Sequence, residues 1–129
     1  MFKLFKKNQA TIPVVKEIPA AAGTYAVGET LALNASGLAA QVAGTNMPEY
    51  ICASATTVAS GAFIAVNPIY EDMEFLTTFS ADGSAIVAGE KVTISTTFDS
   101  VTATKTNGVA TIVEKLGTGA TGTEVIVKF

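Results

Sequence analysis

MEFLTTF, residues 73–79, places Met73, Phe75 and Phe79 on one side of an extended chain with Thr77 between them. Successive side chains of a strand point to opposite faces, so this period of two marks a half-buried β-strand. The C-terminal EVIVKF, 124–129, repeats the pattern, with Val125, Val127 and Phe129 on one face and Glu124, Ile126 and Lys128 on the other. In KVTIST, 91–96, Val92 and Ile94 point inward against Lys91, Thr93 and Ser95. AFIAVNPIY, 62–70, is almost continuously apolar, so residues 62–66 are expected to form a central strand covered on both faces and ended by Pro68. A helix over SATTVASGAFIAV, 54–66, competes with that reading, but Gly61 and the β-branched residues oppose it.

The rest of the chain agrees with strands. Ala, Gly, Ser and Thr make up 57 of the 129 residues, and Val, Ile and Thr account for 40, whereas the strong helix formers are sparse. Turn signals recur at AAGT, ASG, AGTNMP, ADGS, TNG and GTGATG, at intervals suited to short strands. VGETLAL (27–33) and AGEKVTI (88–94) share Gly-Glu before an alternating stretch, with Gly28 and Gly89 placed to turn the chain. The expected fold is all-β, a small single-domain barrel or sandwich of about the size that buries roughly two-thirds of its unfolded surface.

Charged residues are 15% of the chain against a typical value of about 25%. Much of the surface must therefore be Thr, Ser and Ala. Histidine, tryptophan and arginine are absent, which removes the commonest general base and metal ligand, the usual interface anchor and the bidentate phosphate reader. Cys52 is the single cysteine, so neither an intrachain disulfide nor a Cys/His zinc site or nucleophile can form. The net charge of −3 speaks against nucleic acid, and no apolar run approaches the length of a membrane-spanning helix. The glycines of GTGATG lack the following Lys-Ser/Thr of a phosphate loop and read as a hairpin loop. Glu71, Asp72 and Glu74 read as solvated loop residues, since YEDME lacks the spacing of a calcium loop. No enzyme constellation, cofactor site or metal site is expected.

Charge is segregated along the chain. Residues 1–16 carry Lys3, Lys6, Lys7 and Lys16 and no acid, while residues 17–90 carry eight acids and no base. With Pro13 inside it, the opening segment reads as an extended arm over 1–19, set apart from a β-rich domain over 20–129. Too short for a stable membrane-surface helix, it is better read as a strand that joins a neighbour's sheet while Phe2 and Phe5 fill pockets and the lysines meet an acidic surface. Removing residues 1–16 is then expected to leave a folded domain.

The opening arm, VGETLALNASGLAAQVAG, the apolar strand, IVAGEKVTI and the closing GTEVIVKF together resemble the decoration, or cement, proteins of tailed-phage capsids. That resemblance implies a β-tulip-like domain, assembled as a homotrimer on the outer surface of the virion after synthesis in the host cytoplasm. It also implies a structural role, with the major capsid protein as partner and neither nucleic acid nor membrane bound. By position in the arm, the capsid contacts it implies are Phe2, Lys3, Phe5, Lys6, Lys7, Ile12, Val14 and Val15. The alternative is a carbohydrate-binding or adhesin-like domain, for which Tyr25, Tyr50 and Tyr70 are the only candidate stacking residues besides phenylalanine.

Overall fold

The computed structural model describes residues 1–7 and 14–129, and among them the protein is an all-β sandwich of twelve strands with no helix. Its main sheet joins β1 (Lys3–Lys7), β9 (Met73–Thr78), β12 (Glu124–Lys128), β11 (Ala110–Lys115) and β10 (Lys91–Val92), in that order and antiparallel throughout. A second antiparallel sheet runs β2 (Lys16–Pro19), β8 (Phe63–Pro68), β6 (Tyr50–Cys52), β4 (Thr30–Leu33) and β5 (Ala39–Gln41). The ribbon β3 (Gly23–Tyr25) and β7 (Thr56–Val58) completes the architecture. Among the described residues both large sheets keep free edges, and neither closes into a barrel.

Alternation explains the main core. Met73, Phe75, Thr77 and Phe79 are buried as their spacing requires, and Val125 and Val127 lie beside them from β12. The segment 79–109 folds back over this face through Phe79, Ile86, Ile94, Val101 and Val109, and Ile51 reaches in from the second sheet. A smaller core gathers Leu31, Cys52, Ile64 and Val66 of the second sheet against Tyr25 of the ribbon, whose hydroxyl donates to the carbonyls of Ala21 and Ala39.

Three expectations need correction. The apolar run 62–66 does lie in an interior strand, but β8 is covered on one face only: Ile64 and Val66 are buried, whereas Phe63 is 65% exposed. Ile126 is buried as well as Val125 and Val127, because it sits directly opposite Leu76 and Glu114 with strands on both sides. In KVTIST only Lys91 and Val92 are strand, and Thr93 and Ser95 are buried because hydroxyls satisfy them: Thr93 pairs with Thr102 at 2.7 Å and Ser95 with Ser100 at 2.8 Å.

The two Gly-Glu segments adopt the same turn. Gly28 has φ 85° and Gly89 φ 91°, a left-handed conformation that a side chain would strain. In each, the glutamate reaches back three residues: Glu29 Oε2 accepts from Ala26 N–H at 2.9 Å, and Glu90 Oε2 from Val87 N–H at 2.9 Å. GTGATG is the loop joining β11 to its neighbour β12.

Candidate interaction surface at the N-terminal edge

The described part of the opening segment is built into the body. Residues 3–7 form β1, antiparallel to β9 with Leu4 opposite Phe75 and Lys7 opposite Met73, while a bulge at Phe5 interrupts the register. Residues 16–19 form β2, with Lys16 opposite Val66. Thus the one basic segment supplies an outer strand to each large sheet.

Phe2 is the clearest departure from an arm. It is 2% exposed, its ring centroid lies 5.4 Å from that of Phe129, and its N–H donates to Gly28 O at 3.0 Å. As a core residue it is not presented to a partner. Deleting residues 1–16 would strip β1 from β9 and uncover Phe75 and Phe129, a cost in stability that the expectation of a folded domain after truncation left out. Alternation does not single it out, since Leu4, two residues on, is 38% exposed; Phe2 is buried by the distant Phe129.

The Met1 ammonium group holds the same end in place, donating to Asp99 O and lying 3.7 Å from Asp99 Oδ2. Thr77 of β9 also donates to Asp99 O, at 2.9 Å, and the backbone N–H of Thr30 on β4 donates to Phe98 O at 2.8 Å. Two consecutive carbonyls thus tie the sheets together. Phe98 has φ 64°, a costly conformation for a bulky residue, sustained by these contacts. Burial raises the Asp99 pKa, but hydrogen bonds from Thr97 and Ser100 and the nearby ammonium outweigh it and hold the carboxyl below its ordinary value.

Between the edge strand β1 and the second sheet opens an apolar cleft of about 310 Å³, walled by Phe2, Leu4, Met73 and Phe75 on one side and by Ile51 and Asn67 on the other. Leu4, which lines it, is 38% exposed and the following Phe5 is 53% exposed, with Lys3 exposed between Phe2 and Leu4. Val14 (54%) and Val15 (59%) are exposed just ahead of β2, next to the strand that carries Asn67. The backbones of Lys6 and Lys7 pair with Glu74 and Met73, while Ile12 and the side chains of Lys6 and Lys7 lie outside the described residues. Of the eight predicted contacts, Lys3, Phe5, Val14 and Val15 are thereby placed on exposed surface. Leu4 belongs to the same region and was not among the predicted contacts, while Tyr70, a candidate stacking residue, is exposed just ahead of β9.

Elsewhere the candidate residues are structural. Cys52 is 1% exposed, donates to Ser54 O at 3.3 Å, and burial pushes its thiol pKa up. Tyr25 is 3% exposed and Tyr50 is half-buried in β6, so the three tyrosines form no shared stacking platform. Glu71 is exposed in the turn before β9, and Glu74 sits within β9. Compared with known proteins, the chain matches no family model and no curated sequence.

Proposed function

We propose that this chain is a non-catalytic structural module that decorates the outer surface of a tailed-phage head, with the major capsid protein as its partner. The observation that carries the reading is the N-terminal edge: one basic segment forms an outer strand of each sheet and leaves Leu4, Phe5, Val14 and Val15 exposed, with Leu4 lining an apolar cleft. An open edge offers main-chain hydrogen bonds, and side-chain pockets beside it supply selectivity. A surface poor in charge and rich in small residues suits broad contacts repeated over many copies, where affinity accumulates through multiplicity. On this reading the copies assemble as trimers and bridge adjacent capsid subunits. The carbohydrate reading is the weaker one, because the tyrosines are dispersed between core, sheet and surface.

The test is sedimentation with expanded heads that lack the protein, using the wild type and a Phe5→Asp/Val15→Asp variant. Both substitutions fall on exposed positions, so the variant should melt like the wild type yet lose at least about tenfold in affinity, the loss of roughly one buried apolar anchor. Equal binding of the two, or failure of the wild type to bind any head, would remove the proposal.

A further inference from the structure

Five asparagines occur in the chain, followed in order by Gln, Ala, Met, Pro and Gly, so Asn107–Gly108 is the single Asn-Gly pair. A following glycine leaves the backbone nitrogen least hindered. Asn107 is exposed and holds φ 53°, in a turn closed by Gly108 N–H donating to Lys105 O at 3.0 Å. Lys105 in turn is clamped to the second Gly-Glu turn, with Nζ 2.7 Å from Glu90 Oε1.

We propose that Asn107–Gly108 is a site of spontaneous deamidation whose rate is gated by the Glu90–Lys105 clasp. The Gly108 nitrogen must lose its proton and attack the Asn107 side-chain carbonyl carbon. The new N–Cγ bond closes a succinimide, the Cγ–NH2 bond breaks and ammonia leaves. Water then opens the ring to aspartate or isoaspartate, with no oxidation or reduction. While Gly108 N–H donates to Lys105 O, that proton is retained and the nitrogen is not free to attack. Opening of the turn is therefore the controlling step, and the ion pair opposes it.

The product has structural consequences. Isoaspartate lengthens the backbone by the methylene of residue 107, directly before a glycine packed tightly on β10, where a Cβ on Gly108 would lie 2.5 Å from Lys91 C and Val92 N. The adjacent bond from Val109 N–H to Val92 O, at 3.0 Å, connects this turn to β10. Conversion thus loosens the β10 edge of the main sheet and makes the chain one charge more negative, a mark that accumulates with the age of the protein.

The experiment follows Asn107 by peptide mapping and mass spectrometry in the intact protein, at mildly alkaline pH, with and without denaturing urea, in wild type and Lys105→Gln. Asn107 should convert ahead of the other asparagines, about tenfold more slowly in the folded protein than in urea. Lys105→Gln should speed the folded-state reaction about threefold and leave the rate in urea unchanged. Equal rates folded and unfolded, no effect of Lys105→Gln on the folded protein, or earlier conversion of another asparagine in urea would each overturn the proposal.

Discussion

Replacing Phe2 by alanine separates a strand built into the core from an arm laid over it. Phe2 is 2% exposed and contacts the ring of Phe129, which in turn lies 5.7 Å from Phe75. Burying a phenylalanine is worth about 1.5–3 kcal/mol, and a tilted aromatic pair adds about 0.5–1.5 kcal/mol. A sealed cavity would add more, but Phe2 lines a cleft that is open to solvent, so relaxation there is easy and the cavity contribution is small. The expected loss is about 3 kcal/mol. With a urea slope of about 2 kcal/mol/M for a domain of this size, the midpoint should fall by about 1.5 M. Phe5→Ala is the internal control: at 53% exposure, on the bulge, it should cost about 0.5 kcal/mol or less. Equilibrium urea unfolding of the three proteins, followed by circular dichroism, decides the matter. Losses for Phe2→Ala and Phe5→Ala within about 0.5 kcal/mol of each other would refute the placement of Phe2 in the core.

Two further outcomes probe the same corner. Gly28→Ala should cost about 1 kcal/mol more than Gly37→Ala, because both have positive φ but only at Gly28 would the new Cβ meet neighbours, 2.1 Å from Met1 Cγ and 3.0 Å from Phe2 N; equal midpoint shifts in urea would contradict this. Asp99 is held below its ordinary pKa in the folded protein, so its contribution to stability is complete above the unfolded value of about 4 and is lost as pH falls through the lower folded value. Thermal unfolding of the wild type should therefore weaken more steeply than that of Asp99→Asn as pH is lowered from about 5 to 3, and parallel curves would show that the carboxylate does not hold the corner.

Much of the fold was legible wherever a single face is buried. MEFLTTF and EVIVKF became neighbouring strands of the main sheet, and both Gly-Glu segments became turns with glycine at positive φ. What alternation misjudged were positions governed by neighbours distant in sequence. Ile126 is buried by Leu76 and Glu114 on flanking strands, which no local pattern reveals. Thr93 and Ser95 are buried because Thr102 and Ser100 satisfy their hydroxyls, whereas a local reading assigns polar side chains to solvent. Phe63 erred in the opposite direction: an apolar run predicts cover on both faces, yet the exposed ring shows that hydrophobicity does not by itself supply a second layer.

The lysine-rich opening shows why charge alone was a poor guide to its place in the fold. Edge strands commonly carry lysine, because unpaired backbone groups flanked by like charge resist pairing with a second copy of themselves. Lys3 lies in such a strand and is exposed, and the Phe5 bulge further interrupts the edge. On the proposed reading the same edge would take a strand of opposite charge, since among the described residues no strand pairs with the outer side of β1 and the neighbouring cleft has the room for an apolar side chain. A basic segment can therefore be both a structural edge and a contact surface. The roles divide by side: Phe2 faces the core and holds the strand in place, while Lys3 and Phe5 are left toward whatever lies outside.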